Sequence, residues 1–89
     1  MLEYHAAYYQ EERGWYVVHL LDFPDVISQG RTLHSARRMI SSALRDMVEW
    51  YIEDGLPLPR PNPKARDRKA TLIEPMRLQL RVSVGSARF

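Results

Sequence analysis

The spacing of apolar positions changes character along the chain, and each change marks an element. Tyr4 to Gln10 is rich in tyrosine, and Trp15 to Leu20 is a strongly β-prone run. The polar stretch Glu11-Glu12-Arg13-Gly14 lies between them, so the two runs predict a hairpin. Asp22-Phe23-Pro24-Asp25 reads as a turn, because proline fixes its own φ and biases Phe23 away from helix. Val26 to Gln29 is a short third strand, broken by Gly30. The period then becomes helical. Leu33, Ala36, Ile40, Ala43, Leu44, Met47 and Tyr51 recur at steps of three and four, with Thr32 as N-cap. The spacing predicts one helix over 33–54, about 33 Å long at ~1.5 Å per residue. Gly55 is its C′ residue, and Pro57 stops any continuation.

Beyond the helix, Leu56 to Pro63 carries four prolines and should run extended. Lys64 to Ala70 is a charged connection, and Met76 to Val84 alternates apolar and polar throughout as a last strand. The order is β-β-β-α-β. It predicts an α+β domain, one mainly antiparallel sheet with a single long helix packed on one face.

The register of the hairpin decides what the other face shows. If Tyr16, Val18 and Leu20 face the helix, the first strand offers its more apolar set, Tyr4, Ala6 and Tyr8. Pairing Tyr8 with Tyr16 sets His5 opposite His19, Ala7 opposite Val17 and Tyr9 opposite Trp15. The outer face then carries His5, Tyr9, Trp15, Val17 and His19. Such a face is a contact surface. Two occupants fit it: the proline-rich segment folded back, or a partner, which includes a second copy in a dimer or higher oligomer.

Length and composition narrow the class. Eighty-nine residues make one domain, 1–89, and 45% hydrophobic with 27% charged residues suits a folded chain. The absence of cysteine excludes disulfide scaffolds and thiol chemistry. No stretch approaches the roughly 18 apolar residues of a membrane span. The start, Met1 to His5, lacks a basic region followed by an apolar run, so no signal peptide is expected and the cytoplasm is the default location. The net charge of +2 hides an asymmetry. Residues 1–56 hold five Lys/Arg against nine Asp/Glu, and residues 57–89 hold eight against two.

The run Asp22-Phe23-Pro24, then Gly30, Thr32 and Ala36, then a long helix closing on Gly55 and Leu58-Pro59-Arg60-Pro61, resembles the HicB antitoxin family. The resemblance covers residues 4 to about 61, and the last strand extends it to about 84. It departs from the family pattern at Asp25, where a glycine is usual, and at Arg31, where an acidic residue is common. Ser35 stands for the usual glutamate of the capping box, which predicts the loss of one reciprocal cap. The resemblance implies a partial ribonuclease-H-like fold that binds a small toxin ribonuclease, HicA-like, and blocks its active site. Many members add a C-terminal DNA-binding domain. The five residues after Val84 hold no such module, so direct DNA binding is not expected.

The side chains offer no active site. The carboxylates sit in turns or on the wet side of the helix, where solvated charge and backbone capping explain them. Three or four on central strands would be needed for a metal-dependent nuclease. His5 and His19 are cross-strand neighbours, but two ligands make no closed metal site. The glycines are isolated, and the serines lack a histidine–carboxylate arrangement. No enzyme, no cofactor and no metal are therefore expected. On the resemblance, Glu11, Glu12, Asp22 and Asp25 are the charges that steer a cationic toxin. Tyr9, Trp15 and Val17 are the anchors for toxin or self. Lys64, Arg66, Arg68 and Lys69 are candidate phosphate contacts, and they support the alternative of a stand-alone oligomeric domain that touches nucleic acid.

Overall fold

The computed structural model describes residues 2–78. Four strands and one helix follow each other as β1 (Glu3–Gln10), β2 (Tyr16–Leu20), β3 (Phe23–Gly30), α1 (Leu33–Glu53) and β4 (Leu72–Arg77). The strands form one sheet in the order β3-β2-β1-β4, and every neighbouring pair is antiparallel. This is the expected α+β architecture.

The hairpin keeps the expected faces but not the expected partners. Tyr8 lies opposite Val18, Tyr9 opposite Val17 and Ala7 opposite His19, two residues from the pairing the pattern suggested. A two-residue slip preserves which side each chain position faces. Its cause is in the turn. The Glu11 amide donates to the Trp15 carbonyl at 2.8 Å, and Gly14 adopts a φ of 86°, so Trp15 belongs to the loop and pairing resumes at Tyr16.

Two prolines misled the strand boundaries. β3 starts at Phe23, and Pro24 lies inside it; the turn is only Leu21-Asp22. β4 starts at Leu72 and contains Pro75. Both strands are sheet edges, where a missing N–H need not break a ladder. At Pro24 a bulge opposite His19/Leu20 accommodates the extra residues. Residues 79–84 of the expected last strand lie outside the described residues.

The helix matches expectation at both ends. Thr32 Oγ1 accepts from the Ser35 amide at 3.0 Å, and Ser35 Oγ accepts from the Thr32 amide at 3.0 Å. Serine therefore fulfils the reciprocal half of the capping box, contrary to the loss predicted from the missing glutamate. Thr32→Ala removes the hydroxyl that serves the Ser35 amide, and should cost about 1 kcal/mol, read as a lowered midpoint in urea. At the other end Gly55, with φ 69°, donates to Ile52, and Leu56 donates to Tyr51. That is a Schellman closure.

The core lies between the sheet and α1. Tyr4, Ala6, Tyr8, Val18, Leu20, Phe23 and Val26 meet Ala36, Ile40, Leu44 and Val48. Val48 is fully buried although the apolar stripe read from spacing omitted it. At the open end Tyr4, Phe23 and Tyr51 pack ring on ring. The chain passes there to the opposite side of the sheet: Tyr4 Oη donates to the Pro59 carbonyl at 2.7 Å.

Candidate interaction site

The outer face of the sheet is crossed by the segment 59–71, a strap that leaves the helix layer and runs to β4. The strap is fixed at three places. At its start the Asn62 amide donates to Asp22 Oδ2 at 2.9 Å. In its middle Ala65 is buried. Toward its end Asp67 Oδ2 accepts from Tyr9 Oη at 2.6 Å, and the Thr71 amide donates to the Tyr8 carbonyl at 2.7 Å. Ala7, on the outer face, is fully buried as a result. Of the two occupants the pattern allowed for this face, the folded-back segment takes its β1 side.

Two histidine clusters hold the underside of the strap. Asp22 has a side chain only 1% exposed. It accepts from the His5 amide through Oδ1 and from His5 Nδ1 through Oδ2, both at 2.8 Å. Burial pushes this carboxyl up, but the donors from His5 and Asn62 outweigh burial and hold it below the ordinary carboxylate value. In the second cluster Tyr9 Oη lies 3.1 Å from His19 Nε2 while it donates to Asp67. Burial, then the bond to Asp67, raises the Tyr9 hydroxyl to about 12. The same bond leads the influences that lower the Asp67 carboxyl.

The expected site residues therefore separate into groups. His5, Tyr9, Val17 and His19 are half-buried on the outer face, with His5 and Tyr9 engaged by the clusters just described. Asp22 is not a surface charge and is removed from the steering set, since its oxygens are consumed inside the fold. Asp25 is exposed and accepts from Tyr51 Oη at 3.1 Å. It lies at the opposite end of the sheet from Glu11 and Glu12, so the acidic residues form no single patch. Lys64, Arg66, Arg68 and Lys69 are all exposed on the strap. Arg66 bonds the Ala65 carbonyl at 2.7 Å.

The hairpin end is a distinct place. Trp15 is half-buried, and the Arg31 guanidinium sits 5.2 Å above its ring. Beside it opens a cleft of about 760 Å³ lined by Gln10, Glu11, Glu12, Arg13, Trp15 and Gln29. An aromatic ring and two exposed carboxylates thus share one concavity. Arg31 was legible only as a departure from the family pattern, since nothing in spacing links it to Trp15. Among the described residues no group of three or more histidines and carboxylates is placed to hold a metal ion. No helix there is long and apolar enough to cross a membrane.

Residues 3–83 match the family described as HicB_like antitoxin of bacterial toxin-antitoxin system. The antitoxin HicB 1 of Photorhabdus laumondii is 38% identical over 56 residues, which are 63% of this chain and 36% of that protein. The chain thus aligns with little more than a third of this curated relative. In three dimensions the N-terminal domain of the antitoxin HicB of Burkholderia pseudomallei superposes with a TM-score of 0.73. That match covers 89% of this chain and 100% of the domain at 23% identity, a likeness of fold.

Proposed function

The chain belongs to the HicB-like antitoxin family, and from that membership we propose that it binds and occludes a small RNA-cleaving toxin in the cytoplasm. It acts as a single binding domain and not as an enzyme. The observation that carries the reading is the hairpin cleft, where Trp15 lies beside Glu11 and Glu12. A ribonuclease surface that holds RNA is cationic, and carboxylates around an aromatic anchor complement it in charge and in apolar contact. The outer-face residues Tyr9, Val17, His5 and His19 extend the surface toward the strap.

Trp15→Ala should weaken the toxin complex by about 2 kcal/mol, some thirtyfold, if Trp15 is a buried anchor. Glu11→Lys with Glu12→Lys should mainly slow association. The measurement is co-expression with the small toxin-sized reading frame beside the gene, co-purification, and RNA cleavage by that partner with and without this chain. Suppressed cleavage in a stable complex supports the proposal. No complex, together with RNA binding that weakens steeply with salt, would replace it with the reading in which Lys64, Arg66, Arg68 and Lys69 contact phosphates.

A further inference from the structure

The β3 side of the sheet is built for pairing. From Val26 to Gly30 this edge strand reads Val-Ile-Ser-Gln-Gly, with no charge and no proline. Edge strands are ordinarily blunted by one or the other, since an unpaired ladder invites another strand. Pro24 and the bulge guard only the beginning of β3. The other edge, β4, carries Pro75 within its six residues. Among the described residues, the outward edge of Val26–Gly30 has no backbone partner. Ile27 on this strand is 62% exposed, the largest value among the exposed large hydrophobic side chains.

The helix beside this edge repeats the signal. α1 runs back along β3, since Gly30 touches Ala36 and Asp25 holds Tyr51. Arg37 reaches across to Glu74 on β4. At ~100° per residue, Met39, Asp46 and Trp50 fall on the opposite flank, toward the β3 side. Met39 is 50% and Trp50 53% exposed. Three of the five exposed large hydrophobics, Ile27, Met39 and Trp50, therefore lie along one edge of the molecule.

We propose that the β3 edge binds a second copy of this chain, β3 against β3 in antiparallel register about Ser28, to form a continuous eight-stranded sheet. The occupant follows from charge. In that register Asp25 of each copy stands opposite Arg31 of the other, so a two-fold axis makes the same favourable pair twice. Ile27 stands beside Gln29 of the second copy, and Val26 beside Gly30, with no like charges opposed. The helices cross the same axis antiparallel. The cationic N-terminal half of α1, with Arg38 and Arg45, then faces the acidic half with Asp46 and Glu53. Met39 of one copy is brought toward Trp50 of the other. This interface leaves the hairpin cleft and the strap uncovered, and it stands whether or not a toxin binds there.

The test is sedimentation velocity on the purified chain over a micromolar concentration series. The wild-type chain should be a dimer. Asp25→Arg opposes two arginines at each contact, and Arg31→Asp opposes two aspartates; each alone should weaken the dimer at least tenfold. Mixed in equal amounts, the two variants are complementary at both contacts and should form a heterodimer as tight as the wild type. Ile27→Lys charges the edge without touching the core, and should yield a monomer with an unchanged thermal midpoint at low concentration. A wild-type chain that stays monomeric across the series would overturn the proposal. So would a dimer indifferent to both charge reversals, with no preference on mixing.

Discussion

Asp22→Ala should cost about 3 kcal/mol of folding stability and release the strap from the outer face of the sheet. The carboxylate serves three donors from two distant stretches: the His5 amide, His5 Nδ1 and the Asn62 amide. Truncation leaves buried N–H groups without an acceptor, and an unsatisfied buried donor costs about 1–3 kcal/mol. Removing the charged member of a buried hydrogen-bonded set is the more damaging form of that change. For a domain of this size the melting temperature should fall by roughly 12–24 °C. Hydrogen exchange separates a local from a global effect. The Asn62 amide and the strap should lose protection first, while the amides of α1 follow only the global midpoint. Asp22→Asn retains one accepting oxygen and should fall between the two.

The same carboxylate fixes the direction of the pH response. Its value in the fold lies below the ordinary one, so the folded state binds fewer protons at this group than the unfolded state. Its contribution is therefore complete above the ordinary carboxylate value. It is lost as the pH falls from about 4 through the depressed value. Asp22→Ala should flatten that acid limb when urea midpoints are compared between pH 5 and pH 2.5.

The arrangement around Asp22 also marks where a linear reading ends. The period of two in β1 and β2 and the helical stripe in α1 are local, and they identified the sheet faces, the helix and its caps. Asp22 looked like a surface charge because its partners stand 17 and 40 residues away, and no pattern of spacing joins them. Pro24 and Pro75 looked like strand breakers because edge position depends on the order of strands in the sheet, which is a property of the whole chain. The hairpin slipped by two because one hydrogen bond inside the loop moved Trp15 out of the ladder. Ser35 shows the opposite limit. A capping motif defined by glutamate hides the physical requirement, an acceptor within reach of the Thr32 amide, and a hydroxyl satisfies it.

Gly30→Ala should be as costly, about 3 kcal/mol, for a reason the sequence carried only as a motif. Gly30 closes β3 two residues before the N-cap Thr32, in the Gly-x-Thr spacing that supports the family resemblance. Its backbone needs no positive φ, whereas Gly14 and Gly55 have one. What it needs is space. A methyl group at Gly30 would fall 2.6 Å from Ser35 Oγ and 2.8 Å from Ala36 Cα, and closest of all to the Ala36 nitrogen. The Ser35 hydroxyl can rotate, but Ala36 is fully buried in the first turn of α1 and is held by its bond to the Thr32 carbonyl at 2.9 Å. Accommodation requires the helix start to move off the sheet, which strains both the capping box and the contacts of Ala36 and Ile40. Gly14→Ala is the informative contrast. No atom lies within 4 Å of a methyl there, so only the left-handed conformation is strained, and the expected cost is about 1 kcal/mol. Urea melts of the two variants separate crowding from backbone conformation. Equal losses would mean that the strand-to-helix junction yields more easily than its close packing implies.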